Sequence, residues 1–480
     1  MIVGAEIRKN RSESSSMKAA GFYDDALNFI GHATGYPTDS PNKPSGSQDL
    51  STEVGFFANA NYMYNNRYYA DFVYRLSGSS KFGSNERYGQ FWSGGLGWNL
   101  HNESFLAFEN LNLLKIRGSV GYTGKVNFEP FQSITMYKYE NTLEYLHGIG
   151  TIPQTIGNDD LKWEREFSYN IGTDLSLFER RLNATFDFYL KRTKDLVLDA
   201  SIAPSTGVVS GKQNIGEMEN KGFEFSLDGF IIQHNDVWWQ LGVNGSTNKN
   251  RILKISNALK RQNELSNDVE PTRQTPAPLA QYEEGESTSA LKVVRSAGID
   301  PATGREVFIK LDGTRTFTYS ANDKVVVGDT DPRFHGSVYT NVFYKGFSLY
   351  IMGSFKCGGY LYNSTRASRV EGTTGKTNVD RRAFDNRWKQ VGDITLYRNI
   401  TEHSVPQQTD RFVEKENVLT ISSVNLGYEF PQHICQKMML RNLRVGLNLS
   451  DILRFSNVKI ERGLDYLYGN GFEFTLSTTF

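Results

Sequence analysis

The amino-acid sequence predicts an all-β fold, more specifically a segment of an antiparallel transmembrane β-barrel. Three observations lead to this prediction. Polar and apolar residues alternate along the chain, the segments between the alternating runs switch between long and short, and the last run ends on an aromatic residue. Many runs reach about 9 to 12 residues, which a tilted strand needs to cross a bilayer, whereas strands of soluble proteins usually have about 5 or 6.

The alternation is clearest in residues 181–191. Successive side chains of a strand point to opposite faces of a sheet. One face of this run is apolar and carries Leu182, Ala184, Phe186, Phe188 and Leu190, and the other is polar and carries Arg181, Asn183, Thr185, Asp187 and Lys191. Residues 54–64 and 223–231 alternate in the same way. We therefore expect one face of the sheet to contact lipid and the other to contact water.

About fourteen such runs are present, with an error of about 2 to 4 residues at each boundary. They start near residues 2, 53, 66, 89, 111, 164, 180, 221, 236, 334, 346, 418, 441 and 471. The connections between them are alternately long, as in 11–51, 123–162, 193–220, 249–333, 358–417 and 451–470, and short, as in 65–66, 234–235 and 345–346. The alternation also makes SGSSKFGSNER a long connection and HNESFLAFEN a short one. Transmembrane barrels have short periplasmic turns and long extracellular loops, which predicts this pattern.

The composition excludes several other classes of protein. Hydrophobic residues make up 38% of the chain and the mean hydropathy is -0.48, and no run approaches the roughly 18 apolar residues of a membrane-spanning helix. The 53 Lys and Arg residues equal the 53 Asp and Glu residues, so there is no basic excess that would attract nucleic acid. Aromatic residues at 13% and 44 Gly favour strands joined by turns.

The sequence contains no pattern that indicates an enzyme, a cofactor or a metal site. It has no Gly-x-Ser-x-Gly elbow and no His-Glu-x-x-His, and its seven His are scattered over different turns and loops. Cys357 and Cys435 are the only cysteines and lack the spacing of a zinc site. The alternation of connections puts these two thiols at opposite ends of the barrel wall, so we predict that they form no disulfide.

The chain ends in GFEFTLSTTF, an amphipathic run with an aromatic last residue. Phe472, Phe474, Leu476 and Phe480 share one face. An aromatic residue closing such a strand is what outer-membrane barrels present to their assembly machinery, so we interpret these four residues as an assembly signal. If this strand ends in the periplasm, every long connection lies outside the cell.

Several blocks of the sequence, spread over essentially its whole length, resemble the SusC/RagA-type TonB-linked outer-membrane transporters of Bacteroidetes. The blocks are EVGFFANANYMYNNRYYADFVYRLSGSSKFGSNERYGQFWSGGLGWNLHNESF, LKIRGSVGYTGK, NIGEMENKGFEFSL, GIDPATGREVF, VVVGDTDPRFHGS, RAFDNRWKQVGDIT, DRFVEKENVLTISSVNLGYEFP and IERGLDYLYGNGFEFTLSTTF. The resemblance implies a barrel of 22 strands, a plug domain, a signal peptide, and a SusD-like surface lipoprotein that assists the import of glycans or peptides. It also implies that TonB acts through the N-terminal region.

The resemblance implies that residues 1–480 supply the C-terminal part of such a barrel. We find no signal peptide, plug domain or TonB-contacting segment in the sequence, so we expect Met1 to be an internal start. Two alternatives stay open. Fourteen strands is an even number that could close as a passive pore, and a soluble all-β adhesion or carbohydrate-binding protein would also alternate. The residues that contact a substrate cannot be assigned from the sequence.

Overall fold

The structure is a computed structural model. It describes residues 1–480 except 25, 27–28, 37–43, 107, 146–147, 202–206, 209, 270–277, 279–280, 374–378, 403, 460–468 and 480. The first strands are β1 Ile2–Ser16, β2 Ser45–Tyr64, β3 Tyr68–Ser79, β4 Tyr88–Asn99, β5 Leu111–Lys125, β6 Met136–Tyr145, β7 Gly148–Thr155, β8 Glu164–Leu177, β9 Leu182–Lys194, β10 Val197–Ser201 and β11 Ser210–Asn214. They are followed by β12 Gly216–Gln233, β13 Val237–Ile255, β14 Ala290–Ile299, β15 Glu306–Ile309, β16 Arg315–Thr316, β17 Lys324–Asp329, β18 Phe334–Tyr344, β19 Phe347–Tyr362, β20 Val413–Glu429, β21 Asn442–Ser456 and β22 Gly471–Thr479.

Helices are few and short. The α-helices are α1 Asn257–Val269, α2 Arg382–Asp385 and α3 Gln432–Lys437, and a π-helix covers Arg366–Glu371. Single 3-10 turns cover Ile30–His32, Leu100–Asn102, Ser104–Leu106, Ala321–Asp323 and Asp410–Phe412. Among the described residues, no helix combines the length and the apolar character that a membrane span requires.

Fourteen strands form one antiparallel sheet, which confirms the predicted fold class. Their order is β1-β2-β3-β4-β5-β8-β9-β12-β13-β18-β19-β20-β21-β22. The other strands belong to smaller sheets in the connections, so each strand of the large sheet pairs with the next one of that sheet along the chain. Within the described residues, β1 pairs only with β2 and β22 only with β21, and the sheet is therefore open at both ends.

Most strands start where the alternation predicts, but three start earlier. β2 begins at residue 45 instead of 53, β12 at 216 instead of 221, and β20 at 413 instead of 418. The added segments are SGSQDLST, GEMEN and VEKEN, which are mostly polar on both faces. Backbone hydrogen bonds to the neighbouring strand extend these hairpins beyond the lipid, where side-chain alternation is not required.

The long and short connections alternate as predicted, with one exception. The connection at residues 80–87 is shorter than the one at residues 100–110, although the pattern made the first of these the long one. Phe82 explains the compact first connection, because its side chain is only 1% exposed and packs on Trp163 at a ring distance of 4.3 Å. The other connection is longer because it contains two 3-10 turns.

The register joins the apolar residues of the strands into one continuous outer face. Phe72 lies opposite Ala60 and Gly94 on its two neighbouring strands. At the far end of the sheet, Leu447 lies opposite Leu426 and Phe474. Large apolar side chains on this face stay exposed, as expected where lipid is the neighbour. They include Phe56, Phe72, Ile171, Phe188, Phe223, Leu426 and Phe474.

Aromatic side chains with polar tips lie at the rim that carries the short connections. Tyr68 stacks on Trp98 at a centroid distance of 6.1 Å. The Tyr68 hydroxyl and the Trp98 indole N–H each donate a hydrogen bond of 3.0 Å to the carboxylate of Glu103 in the connection that follows β4. An apolar ring body with a polar tip suits the boundary between lipid and water.

The long connections build small structures of their own. The connection from β13 to β18 contains a four-stranded sheet of order β16-β15-β14-β17 with a core that includes Val293, Val294 and Phe308. Smaller hairpins, β6 with β7 and β10 with β11, lie in two other long connections. These loops therefore fold compactly above the wall.

Candidate functional site: the inner wall and the outer loops

The inner face of the sheet is polar, and one row of it crosses the middle of the wall. From β5 to β18 this row runs through Arg117, Gly172, Asp187, Glu224, Ser246 and His335, each directly opposite the next. The neighbouring row on the same face carries Asp174, Thr185, Ser226, Asn244 and Ser337. Carboxylates, hydroxyls and amides on this face can form hydrogen bonds with water and with polar ligands inside a barrel.

Arg117 holds the two aspartates next to it. Its guanidinium Nη2 donates to Asp187 at 2.6 Å, and its Nε donates to Asp174 at 3.3 Å. Gly172 leaves the space for this arrangement, because a Cβ there would lie 2.5 Å from Asp187 Oδ1 and 2.7 Å from Arg117 Cζ. The glycine thus permits a tight ion pair across three strands.

Beside this pair, the inner wall forms an open recess of about 440 Å³. Ser246 Oγ lies 3.0 Å from His335 Nε2, and the Asn244 amide donates to Ser337 Oγ at 2.8 Å. The polar side chains around the recess come from four neighbouring strands. They are Thr185, Asp187, Glu224, Ser226, Asn244, Ser246 and His335. The recess offers several hydrogen-bonding groups. Alternation placed Thr185 and Asp187 on the polar face of their strand but did not predict the recess.

Arg411 connects the two longest outer loops through a buried network of charges. It donates from Nη2 to Glu306 at 2.7 Å and to Glu371 at 2.6 Å. The side chain of Glu371 is 0% exposed, that of Glu306 5% and that of Arg411 12%. Arg398 adds a second guanidinium, with its Nε 3.5 Å from Glu371. Charges this deeply buried are tolerated only when they are paired and hydrogen-bonded.

The pKa directions in this network follow from its burial. Burial raises the pKa of Glu371, and the guanidinium groups of Arg411 and Arg398 oppose that rise. Burial alone would lower the pKa of Arg411, but Glu306 and Glu371 outweigh it and raise that pKa further. Arg411 therefore stays charged at any pH at which the protein folds.

Backbone contacts attach the loop sheet to the same region. The Val294 amide donates to the Gln408 carbonyl at 3.0 Å, and the Ser296 amide donates to the Asp410 carboxylate at 2.9 Å. Burial raises the pKa of Asp410. The indole of Trp388 donates to the Pro301 carbonyl at 2.9 Å. The two loops therefore pack as one body.

Three of the sequence blocks quoted above meet in this body. GIDPATGREVF supplies Glu306, DRFVEKEN supplies Arg411, and RAFDNRWKQVGDIT supplies Trp388. Sequence reasoning did not predict this contact, because Glu306 and Arg411 lie 105 positions apart in the chain. The resemblance of these three blocks to one family marked them out, but it did not predict a contact between them.

The residues interpreted as an assembly signal lie on the last strand as described, with one exception. Phe472, Phe474 and Leu476 are 74%, 70% and 61% exposed on the outer face of β22. Phe480 lies outside the described residues. Their role in assembly stays a prediction.

The two cysteines are free, which confirms the predicted absence of a disulfide. Cys357 is exposed near the end of β19 that leads into the long connection at residues 363–412. Cys435 is buried in α3, within the short connection at residues 430–441. The thiols therefore lie at opposite ends of the wall.

Within the part of the chain that the structure describes, no three His, Cys, Asp or Glu residues are grouped so that they could hold a metal ion.

A sheet of this size with one apolar face and one polar face defines the class of outer-membrane β-barrels.

Comparison with known proteins identifies the family. The family described as "TonB dependent receptor-like, beta-barrel" matches residues 10–276, and the chain belongs to it. The match locates the chain in the outer membrane and leaves the soluble alternative without support. TonB-dependent receptors are transport proteins, and the family is not an enzyme family.

Relatives along the whole chain agree with this assignment. The chain is 27% identical over 476 residues to TonB-dependent receptor P3 of Formosa agariphila, covering 95% of this chain and 46% of that one. It is 26% identical over 388 residues to TonB-dependent receptor SusC of Bacteroides thetaiotaomicron, covering 79% of this chain and 38% of that one. The chain thus spans about half the length of the curated relatives it matches, or less.

The fold is shared with a solved transporter. The structure of the RagAB peptide transporter matches with a TM-score of 0.80 at 24% identity, covering 95% of this chain and 49% of that one. These relatives and this structure confirm the predicted resemblance to the SusC/RagA type.

Proposed function

We propose that this chain forms the C-terminal part of the barrel of a TonB-dependent importer for glycans or oligopeptides. The observation that carries the proposal is the two-faced sheet of 14 strands, which presents an apolar surface to lipid and a polar wall to the lumen. Membership of the TonB-dependent receptor family supports the energy source, and similarity to the RagAB peptide transporter supports oligopeptides as one substrate class. Glycans are the other substrate class that the resemblance to the SusC/RagA type implies.

The proposal includes two protein partners. TonB would act through a region of the receptor outside these 480 residues, which is consistent with a chain that covers 46% of its relative's length. A SusD-like lipoprotein would contact the receptor on the outer side, where the long connections lie. We further propose that β22, together with Phe480, carries the assembly signal.

A TonB-deletion strain tests the proposed function. The complete receptor gene is deleted in its host, and uptake of labelled oligosaccharides and oligopeptides is compared with the parent and with a strain that lacks TonB. We expect uptake of one substrate class to fall equally in both mutants. Uptake that needs the receptor but persists without TonB would favour a passive pore. Uptake that needs neither would contradict both functions.

A further inference from the structure

Five basic side chains form a group on the outer face of the sheet, at one end of β9, β12 and β13. All five are exposed. They are called here the outer basic surface and are Arg192, Lys194, Lys221, Lys249 and Arg251. This end of the strands is extracellular, because each strand joins a long connection there, at residues 195–215 or 256–333.

The register shows that this group shares a face with the aromatic residues that contact lipid. Phe188 lies directly opposite Phe223. Two positions further out on the same face, Leu190 lies opposite Lys221. Lys221 in turn lies opposite Lys249 on the next strand. Because successive side chains of a strand alternate between the two faces, both lysines lie on the lipid side of the wall and not in the lumen.

The apolar part of β9 determines the height of this group in the membrane. The outer residues of β9 from Leu182 to Leu190 are all apolar. This segment spans about 27 Å along the strand and about 20 Å across the membrane at the usual tilt, close to the roughly 25 Å apolar band of outer-membrane barrels. Arg192 is the next outer residue, so it lies where the lipid headgroups begin. Lys221 and Lys249 are one row lower, and their long side chains can extend to the same level.

The pairing of Lys221 with Lys249 is unfavourable within the protein itself. Like charges directly opposite each other on neighbouring strands destabilise a sheet, and their Cβ atoms are only about 4.5–5.5 Å apart. In the described part of the chain, neither ammonium group forms an ion pair or a hydrogen bond with another protein group. An anion between the two ammonium groups would replace this repulsion with attraction.

The acidic residues of this face lie beside the arginines. The Arg192 guanidinium is 3.4 Å from the Glu217 carboxylate. Glu219 lies opposite Arg192 on one side and opposite Arg251 on the other. The basic residues of the outer basic surface outnumber these two carboxylates, so the surface carries a net positive charge that favours an anionic ligand.

The location of the surface identifies the ligand. β9, β12 and β13 each pair with strands of this chain on both sides. The remainder of a complete receptor can therefore add strands only beyond β1 or β22, and any domain inside the barrel lies on the opposite face. The outer leaflet of the membrane is what contacts the outer face at this height. We propose that the outer basic surface binds the phosphate groups of an outer-leaflet lipid headgroup. This inference goes beyond import, because it depends on the outer face and its orientation and not on the substrate.

Lipid binding by the complete receptor tests the inference. The receptor is purified in detergent, stripped of lipid and titrated with bisphosphorylated lipid A or with the same lipid after enzymatic removal of its phosphates. Native mass spectrometry measures the bound lipid. We expect the phosphorylated form to bind more tightly, with an affinity that falls as the salt concentration rises. The double variant Lys221→Gln and Lys249→Gln should bind it at least about tenfold more weakly, because each basic residue near anionic lipid contributes about a factor of five.

Two matched variants control for charge and for folding. Lys191 and Lys356 are exposed on the inner face, so Lys191→Gln with Lys356→Gln removes the same charge from the lumen and should bind as wild type does. Lys221→Arg with Lys249→Arg retains the charge and should keep the preference for phosphorylated lipid. Heat-modifiable migration on SDS gels shows that each variant has a folded barrel. The single variant Lys249→Gln should show part of the loss of the double variant.

Four outcomes would overturn the inference. Wild-type receptor that binds phosphorylated and dephosphorylated lipid equally would show that phosphate is not recognised. Unchanged affinity of the double and single glutamine variants would reject this surface. An equal loss in the lumen variant would assign the effect to overall charge. Inorganic phosphate that displaces lipid A at equal concentration would indicate a site for free phosphate instead of a lipid headgroup.

Discussion

At the scale of single residues, Arg411 is the side chain on which the outer loops depend most. Its guanidinium satisfies two buried carboxylates that come from different loops, Glu306 and Glu371. Removing one partner of a buried ion pair leaves an uncompensated charge, which costs more than the pair itself contributes.

We predict that Arg411→Met loosens both outer loops together. The expected loss is roughly 3–5 kcal/mol of local stability, because two carboxylates lose their guanidinium inside the protein. Hydrogen exchange on the complete receptor should rise in β14 and β15 as well as near residue 411. Arg381→Met is the control, since the Arg381 side chain is 90% exposed and should change nothing measurable. Faster exchange confined to residues near 411 would contradict the coupling.

A second prediction at this scale concerns Phe480. In the complete receptor, Phe480→Ser should lower the amount of receptor in the outer membrane several-fold, because the aromatic end of the last strand is proposed to be recognised during assembly. Immunoblots of outer-membrane fractions measure this. Phe384→Ser, an aromatic change in an outer loop, serves as the control. Equal levels of both variants and wild type would show that Phe480 carries no assembly information.

At the scale of strands and loops, alternation predicted the strands well where they cross lipid. β5 and β8 begin at the expected residues 111 and 164, since lipid on one face and water on the other fix the pattern. Alternation did not predict the polar extension at the start of β2, because both faces of this segment contact water and only backbone pairing makes it a strand. The contact of Glu306 with Arg411 was also not predicted, since nothing in the local sequence encodes a contact between distant loops.

Gly172 provides a test of the inner wall at this scale. We predict that Gly172→Ala destabilises the complete receptor by about 1–3 kcal/mol, because the added methyl group would overlap the Arg117–Asp187 pair. The unfolding temperature in a heat-modifiability gel measures this. Gly118→Ala is the matched control, since its nearest heavy atom would be Asn170 O at 3.9 Å. Equal unfolding temperatures would show that the pair can shift without cost.

At the scale of the whole molecule, the sheet is a wall with two free edges. β1 and β22 have no second partner strand among the described residues, and unpaired backbone groups are costly in lipid. We predict that the 480 residues produced alone form no closed barrel. After refolding in detergent, their migration on SDS gels should not change on heating. A heat-modifiable band would contradict this prediction and would support a self-closing pore.

The central claim is that this sheet crosses the outer membrane with its long connections outside. Single cysteines in a cysteine-free complete receptor test it, with Leu311→Cys in a long connection and Asn235→Cys in a short one. We predict that a membrane-impermeant maleimide labels the cysteine at position 311 in intact cells. It should label the one at position 235 only after the outer membrane is permeabilised. Labelling of position 235 but not of position 311 in intact cells would contradict the orientation and the account built on it.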